Sequence, residues 1–255
     1  MTDATAAVRA LRLLRELAGA PGPLPAATLA RRLDLPRSST YHLLTVLRAD
    51  GFVVHYPEDG RWGLGVSVFE LGAAYLRHEP LERLGRPLLH RLVADVEAVV
   101  PAVAHLGVLH GRETVYLVRE STVAPLTAVV DVGVRLPASL TASGRSMLAH
   151  LPLAQVRALY PDRAAFVDRT GLGPATPTAL RRLLQAERDR GWAEEDGFVV
   201  AGYASVAAAA LDRTGRPLAS IGLTFRSDRA SARERRRLAG LAREVARQLS
   251  ARMGA

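Results

Sequence analysis

The sequence predicts an α+β protein with two domains of different character. Residues 1–65 show three helical apolar patterns followed by two short strands. From Leu81 onward, β-rich runs alternate irregularly with helices and are joined by tight turns, which favours an antiparallel sheet over a parallel one. The length of 255 residues exceeds the ~100–200 residues of one typical domain, so two domains are expected.

Turn and cap signals divide the first domain into short elements. Ala20 to Pro23 ends the first helix, Asp34 to Pro36 forms a tight turn, and Asp50 with Gly51 ends the third helix. The predicted helices and strands, in order, are Ala6–Ala18, Pro25–Leu33, Arg37–Ala49, Phe52–Tyr56 and Arg61–Leu64. Three helices followed by a hairpin predict a winged helix-turn-helix.

The outward side of the third helix carries side chains suited to DNA. Small hydroxyls, a phenol, an imidazole and a guanidinium can approach phosphates and base edges closely. The predicted contacts are Arg37, Ser38, Ser39, Tyr41 and His42 in this helix, and His55 and Arg61 in the hairpin, which would reach the backbone or minor groove. The same unit also occurs as a protein-interaction module. Residues 1–78 hold nine arginines against seven acids, so two copies on one duplex would be needed for firm binding.

The second domain begins after a bridging helix predicted over Val66–Arg77. Its predicted elements, in order, are Leu81–Ala98, Ala102–Leu109, Thr114–Val118, Leu126–Val132, Thr141–His150, Thr178–Arg190, Tyr203–Leu211, Leu218–Phe225 and Ala230–Met253. The expected boundaries are 1–65 for the DNA-binding domain, 66–79 for the linker helix and 80–255 for the second domain.

Small residues open the helix predicted over Thr141–His150. The free N–H groups at a helix N-terminus suit an anionic ligand. Thr141, Ala142 and Gly144 are therefore candidate ligand contacts. Close packing against a neighbouring element is the alternative explanation for such small residues.

Enzymatic and metal chemistry receive little support. Zero cysteines exclude disulfides and thiolate metal sites. The chain lacks a Gly-x-Ser-x-Gly elbow, a phosphate loop and a His-Glu-x-x-His motif, so no catalytic residue, cofactor or metal site is predicted. His105 and His110 lie five positions apart on a predicted strand and point to opposite faces, so a shared metal ion is the less favoured alternative. The acids Glu194, Glu195 and Asp196 are predicted in a loop, where they are solvated or line a pocket.

Hydropathy and charge limit the partners. No apolar run reaches the ~18 residues that span a bilayer, and no basic segment followed by an apolar core marks a signal peptide. No membrane partner is therefore expected, and a cytoplasmic location fits. Nine of the 34 basic residues lie in residues 226–255, on a predicted amphipathic helix, where a solvated face is favoured over nucleic-acid contact.

Short motifs run along nearly the whole chain. The first domain contains Leu35-Pro-Arg-Ser-Ser-Thr-Tyr-His-Leu-Leu44, Gly51-Phe52 and Leu64-Gly65. The second contains Val132-Gly-Val-Arg-Leu-Pro137, Thr141-Ala142, Gly191-Trp-Ala193 and Ser205-Val-Ala207. In this order and spacing, the motifs resemble those of the IclR family of bacterial transcriptional regulators.

The resemblance implies a fold and an effector site. It implies a winged helix-turn-helix, a linker helix and a GAF-like effector-binding domain, in a homodimer or a dimer of dimers that represses or activates transcription on double-stranded DNA. It favours the ligand-binding interpretation of Thr141, Ala142 and Gly144, and adds Ser205 and Thr224, whose hydroxyls align with pocket positions of the family.

Four positions depart from the family pattern. His42 stands where arginine is usual, and because arginine grips guanine with two hydrogen bonds, a different operator is expected. Phe198, Ala209 and Gly222 stand where a glutamate, a proline and a hydroxyl are frequent. These three changes predict a more apolar pocket, suited to an aromatic or acyl carboxylate.

Two functions remain open on the sequence alone. The favoured one is a ligand-responsive DNA-binding regulator that binds a palindromic operator as a dimer. The alternative is a small-molecule-binding or catalytic domain whose N-terminal module only mediates dimerisation. Duplex binding that weakens with salt separates the two, because phosphate contacts release counterions.

Overall fold

The computed structural model describes residues 2–78, 80–122 and 131–254. The chain divides into two compact units, Met1–His78 and Glu79–Ala255. The helix predicted as a bridge spans Val66–His78 and belongs to the first unit. Within the described ranges, no helix combines the length and apolar composition needed to cross a bilayer.

The first unit is a helix-turn-helix with a small sheet. Its elements are α1 (Thr2–Ala18), β1 (Leu24–Pro25), α2 (Ala26–Leu33), α3 (Arg37–Ala49), β2 (Val53–Tyr56), β3 (Arg61–Leu64) and α4 (Val66–His78). The sheet has the order β1-β3-β2, with antiparallel pairs. Leu13, Leu29, Leu44 and Trp62 are buried at the centre, because each helix turns one apolar stripe inward.

The turn between α2 and α3 sets the angle at which α3 is presented. Asp34 adopts a left-handed conformation with φ 53° and ends α2 by donating its N–H to the carbonyl of Ala30. Pro36, with φ −56°, then precedes the first residue of α3. A short polar side chain and a proline therefore fix both ends of the turn.

The second unit is built on one six-stranded sheet. Its elements are α5 (Pro80–Glu97), β4 (Ala102–His110), β5 (Glu113–Ser121), β6 (Arg135–Pro137), α6 (Ala142–Leu148), α7 (Leu153–Leu159), α8 (Pro177–Arg190), β7 (Ala193–Asp196), β8 (Tyr203–Leu211), β9 (Pro217–Arg226) and α9 (Ala232–Arg252). The strand order is β6-β5-β4-β9-β8-β7, and every pair is antiparallel. The predicted α+β class and antiparallel sheet are confirmed.

The two faces of this sheet meet different helices, because successive side chains on a strand alternate in direction. Leu106, Val206 and Leu223 point to one face, where they pack with the apolar stripes of α5 and α9. Ser205 and Thr224 point to the opposite face, on which α6 lies. The polar residues of the sheet are therefore collected under α6.

The acidic segment after α8 corrects the sequence prediction. Glu194, Glu195 and Asp196, expected in a loop, form β7, which pairs with β8 at the edge of the sheet. Glu195 points inward and is buried, whereas Asp196 is exposed. Acidic residues are poor strand formers, so pairing with β8 determines this conformation.

The other differences concern short elements. β1, β6 and α7 were not predicted, because two, three and seven residues carry too little periodic pattern. The strand expected over Leu126–Val132 lies outside the described residues up to position 130. Its last residue, Val132, lies in a turn before β6.

Candidate functional site

The outward face of α3 is polar and accessible. Arg37, Ser38, Tyr41 and His42 are exposed, with Tyr41 54% exposed, and Ser39 is half-buried. Helical spacing places these residues on adjoining turns of one side. From Arg37 to Ala49 the helix contains no acidic residue, so nothing on it repels phosphate.

The inner face of α3 packs into the core of the first unit. Thr40 and Leu44 are fully buried, and the Thr40 hydroxyl donates to the carbonyl of Pro36 at 3.1 Å. Because Pro36 is the N-cap residue, this bond lies within the first turn of the helix. The polar outer face of α3 is therefore backed by a buried inner face.

The hairpin carries the two remaining predicted DNA contacts, and their side chains differ in exposure. The Arg61 side chain is exposed, and its Nη1 donates to the carbonyl of Pro23 at 3.3 Å. The His55 ring is half-buried and stacks on Trp62, with ring centroids 4.4 Å apart. Arg61 therefore extends outward, whereas His55 also packs against the core of the unit.

The end of α3 is tied to the start of α4. The Ser67 hydroxyl donates to the Asp50 carbonyl at 2.9 Å, and the Ser67 N–H donates to the Gly51 carbonyl at 3.1 Å. A Cβ on Gly65 would overlap the backbone of Gly51, so only glycine allows this close approach. The end of α3 and the start of α4 are therefore in direct backbone contact.

A cavity lies in the second unit between α6 and the sheet, and we name it the α6 cavity. Its lining residues are Tyr116, Leu136, Thr141, Ala142, Ser143, Glu195, Val199, Val200, Tyr203, Ser205 and Thr224. It encloses about 380 Å³ of space including its mouth, of which about 20 Å³ admits the centre of a water molecule. That is room for roughly one water, so a larger ligand must displace side chains.

Four of the five predicted effector residues line this cavity. Thr141, Ala142, Ser205 and Thr224 come from α6, its N-terminal cap and two strands that are distant in sequence. Gly144 is not among the lining residues. Its N–H donates to the Thr141 hydroxyl at 2.9 Å, and an added Cβ would overlap the backbone of Ala138. Packing, rather than ligand access, therefore explains the glycine.

A chain of hydrogen bonds runs along the cavity floor. The Ser205 hydroxyl donates to Glu195 Oε1 at 2.7 Å and lies 3.0 Å from the Thr224 hydroxyl. Glu195 Oε2 accepts the N–H of Phe198 at 2.9 Å. Burial raises the pKa of Glu195, and the hydrogen bonds from Ser205 and Phe198 together with the charge of Arg145 offset this only in part.

Sequence reasoning missed several lining residues. Glu195 belonged to an acidic cluster for which pocket lining was one alternative, but its inward direction depends on the pairing of β7 with β8. Tyr116, Ser143 and Tyr203 carried no signal that separates them from ordinary core or surface residues. Burial raises the pKa of the Tyr116 phenol to about 12, so it stays protonated and can donate a hydrogen bond.

The three departures expected to make the pocket apolar lie outside its lining. Phe198 packs beside the Arg145 guanidinium, 5.1 Å from the ring centroid. Ala209 borders a separate surface groove beside α9, and Gly222 lies beneath Ser143. The apolar part of the α6 cavity instead comes from Leu136, Val199 and Val200. The expectation that Phe198, Ala209 and Gly222 make the pocket apolar is therefore wrong.

His105 and His110 occupy different environments on β4. His105 is 2% exposed, whereas His110 is exposed at the hairpin end of the strand. Within the described ranges, no three metal-binding side chains cluster.

Known protein families match both units. The family described as "IclR helix-turn-helix domain" matches residues 6–57, and "Bacterial transcriptional regulator IclR C-terminal" matches residues 73–251. Together these matches cover most of the chain.

Individual relatives match over nearly their full length. The glycerol operon regulatory protein of Streptomyces coelicolor is 32% identical over 250 residues, covering 97% of this chain and 95% of that protein. The HTH-type transcriptional repressor AllR of Escherichia coli strain K12 is 28% identical over 257 residues, covering 98% and 91%. A solved IclR homolog complexed with 4-hydroxybenzoate, from Microbacterium hydrocarbonoxydans, shares the fold with a TM-score of 0.81 at 22% identity, covering 98% and 99%.

Proposed function

Because the chain belongs to the IclR family of bacterial transcriptional regulators, we propose that it is a ligand-responsive regulator that binds a palindromic operator as a homodimer. The observation that carries this proposal is the acid-free, polar outer face of α3, held from beneath by Thr40 and Leu44. Such a face suits insertion into the major groove, where base edges differ in their hydrogen-bonding pattern. A DNA-binding role also implies a cytoplasmic location.

The proposed DNA contacts divide into two kinds. Tyr41 and His42 read base edges, and Ser38 and Ser39 approach the groove closely enough to contact bases or phosphates. Arg37 and the wing residue Arg61 neutralise phosphates, with His55 at the base of the wing. An arginine at position 42 would make two parallel hydrogen bonds to a guanine, which the His42 imidazole cannot make. We therefore expect no strong preference for guanine at the operator base that His42 contacts.

Selection of duplexes from a random pool, followed by anisotropy titrations with the full chain, tests this assignment. Tyr41→Ala and His42→Ala should each cost ~1–3 kcal/mol and relax specificity at one position. His90→Ala is the matched control, because its side chain is 79% exposed in the other unit. Unchanged affinity and selectivity in both α3 variants would exclude α3 as the reading element. Binding without any salt dependence would favour the alternative of a dimerisation module.

Self-association is supported by apolar side chains that the first unit leaves in solvent. Val8 and Leu11 on α1, and Val66, Phe69 and Leu71 on α4, are each more than half exposed. Exposed apolar groups of this size mark association surfaces in soluble proteins. Pairing through α1 and α4 would place two copies of α3 on one duplex, and a dimer of such dimers remains compatible with it.

The α6 cavity is the proposed effector site. Its cap residue Thr141, neighbouring Ala142, and the bonded hydroxyls of Ser205 and Thr224 supply polar contacts, while leucine and valine side chains supply an apolar wall. We propose a small organic effector, with aromatic and acyl carboxylates as the first class to test. The relatives named for the glycerol operon and solved with 4-hydroxybenzoate supply two probes, glycerol and 4-hydroxybenzoate.

Thermal-shift screening of the full chain tests the site and the ligand class together. Aromatic and acyl carboxylates, glycerol, and the short keto acids pyruvate and glyoxylate form the panel. Binding should disappear in a Thr141→Val/Ser205→Ala double variant. An unchanged shift in that variant would exclude the site, and a shift by the short keto acids alone would exclude the proposed ligand class.

Switching is proposed to pass through α4. The hydrogen bonds of Ser67 to Asp50 and Gly51 support this route, because they join the start of α4 to the end of α3. An effector changes DNA binding only by the difference between its affinities for the two states, typically ~1–3 kcal/mol. Displacing one α3 along the duplex by a few ångströms, on the order of one base step, would lose base contacts in one half-site.

A further inference from the structure

His105 is a buried imidazole whose two ring nitrogens have no hydrogen-bond partner in the described part of the chain. Buried polar groups in folded proteins nearly always have partners. Burial, and secondly the nearby Arg119 guanidinium, lower the pKa of His105 to about 3. The ring is therefore neutral near pH 7 and offers one N–H donor and one nitrogen acceptor.

Strand alternation directs His105 toward the layer that contains the α6 cavity. Its neighbour Leu106 points to the opposite face, into the core with α5 and α9. The His105 ring lies 5.2 Å from the ring of Tyr116, which lines the cavity. His105 therefore lies directly behind one wall of the cavity.

The two residues that pair with His105 on the neighbouring strands differ in their side chains. Arg119 is its register partner on β5, and the Nε of Arg119 is also buried with no hydrogen-bond partner among the described residues. Gly222 is its register partner on β9 and has no side chain. The Ser143 hydroxyl lies 2.6 Å from where a Cβ of Gly222 would stand, and Ser143 lines the cavity. A small, rotatable side chain thus lies at this part of the wall.

An effector larger than water must displace part of the cavity lining. Displacement toward His105 moves Tyr116, whose phenol is hydrogen-bonded to Ser143 and Thr141, but it brings a polar partner to the unpartnered imidazole. Gly222 presents no side chain to move. Displacement toward Glu195 would disrupt its bonds with Ser205 and Phe198, and the described lining on that side holds no unpartnered group to satisfy. The side of His105 is therefore the direction in which opening the cavity satisfies a buried polar group.

We propose that the occupied cavity extends to His105, which donates its N–H to a carboxylate of the effector while Arg119 supplies the positive charge that the cavity lining lacks. At the other side of the sheet, Glu195 accepts a hydroxyl of the same effector. This inference rests on the proposed effector site and names its ligand class, a hydroxy acid with separated polar ends.

The sheet sets the length of that ligand. β4, which carries His105, and β7, which carries Glu195, are three strand spacings apart in the order β4-β9-β8-β7. At ~4.8 Å per spacing, the two strands are roughly 14 Å apart. Glu195 is also offset from the row of His105 by two residues along the strands. Both side chains project from the same face. A two- or three-carbon acid is too short to reach both groups, whereas an aromatic or longer-chain hydroxy acid is long enough.

Calorimetric titration of the full chain tests the inference with 4-hydroxybenzoate, 4-hydroxyphenylacetate and 6-hydroxyhexanoate as probes. We expect at least one of them to bind, and to bind at least tenfold more tightly than its analogue without the hydroxyl. His105→Phe should weaken that probe at least tenfold while raising the melting temperature of the ligand-free chain, because two unpartnered polar atoms are removed. His110→Phe, on the exposed end of the same strand, is the matched control and should change neither value.

Three results would overturn the inference. They are no heat of binding with any of the three hydroxy acids, equal affinity in the native chain and His105→Phe, or equal affinity for the analogue without the hydroxyl. If His105→Phe does not unfold cooperatively, His105→Leu replaces it with the same expected loss. Duplex binding is measured on the same samples. If the native chain binds operator but the His105 substitution does not change ligand affinity, only this inference is refuted. If the native chain binds no duplex, the proposed function is refuted.

Discussion

Arg145 and Glu187 form a salt bridge inside the second unit, with Arg145 Nε 2.9 Å from Glu187 Oε1 and side chains 0% and 1% exposed. The guanidinium also donates to the carbonyls of Ser139, Leu140 and Glu194. One side chain therefore joins α8, the chain before α6 and strand β7. Leu140 and Glu194 adjoin the lining residues Thr141 and Glu195, so the buried pair supports two walls of the α6 cavity.

Breaking this pair should be costly. Glu187→Ala leaves a buried guanidinium without its counter-charge, and we expect a loss of ~3–5 kcal/mol in the free energy of unfolding. The Arg145→Met/Glu187→Leu double variant should lose less than Glu187→Leu alone, because no charge remains buried. Urea unfolding followed by Trp192 fluorescence, in a Trp62→Phe background, measures the second unit.

An exposed pair supplies the control for this experiment. Glu244 and Arg247 lie on the outer side of α9, with side chains 48% and 71% exposed. Glu244→Ala should leave the urea midpoint nearly unchanged, since solvent screens such pairs. Equal effects of Glu187→Ala and Glu244→Ala would contradict the role assigned to the buried pair.

The buried carboxyl of Glu195 predicts a pH dependence of stability. Burial raises its pKa, so the folded chain keeps this proton at pH values where the unfolded chain, with a pKa of ~4.3, releases it. The free energy of unfolding contributed by this group therefore falls as pH rises from ~4.3 through the raised pKa. Glu195→Gln should be more stable than the native chain at pH 7.

Urea midpoints of the native chain and Glu195→Gln across pH 3 to 8 measure this contribution as a difference. The stability difference should shrink toward low pH, because both chains are then neutral at position 195. A difference that is independent of pH would show that hydrogen-bond geometry, rather than charge, separates the two side chains.

Two glycines should respond oppositely to the same substitution. Gly144→Ala places a Cβ against the Ala138 backbone and should destabilise by ~1–3 kcal/mol. Gly240, on the exposed side of α9, has no atom of the described residues within 4 Å of an added Cβ. Gly240→Ala should therefore stabilise by ~0.5–1 kcal/mol through helix propensity. Thermal unfolding of the two variants checks the signs, and a neutral Gly144→Ala would contradict the packing role.

The exposed apolar surface of α4 predicts an oligomer that a single charge can disrupt. Phe69 is 74% exposed, so Phe69→Glu costs little in the isolated unit but places a charge in the proposed interface. We expect light scattering to report a smaller assembly and duplex affinity to fall. Leu153→Glu, at a 51% exposed position on α7, should leave both unchanged. A monomeric native chain at working concentration would exclude the interface.

Cap and turn residues predicted the exact bounds of some elements, whereas other elements were not predicted. The bounds of α3 agree with the prediction because Pro36 fixes its start and Asp50 with Gly51 its end. β6 and β7 escaped prediction, since three or four residues become a strand only through their partners.

The sequence by itself determined the order of the three helices and the hairpin in the first unit and the antiparallel α+β class of the second. These follow from caps, turns and periodicities read over a few residues. The family follows from the resemblance of short motifs along nearly the whole chain. The tertiary structure alone decided that Glu195 joins Ser205 and Thr224, that Gly144 packs against Ala138, and that His105 is buried with no hydrogen-bond partner among residues 2–78, 80–122 and 131–254. The reason is that a strand side chain changes face with a one-residue change of register. Which polar groups meet therefore depends on pairing between strands far apart in sequence, which no local pattern specifies.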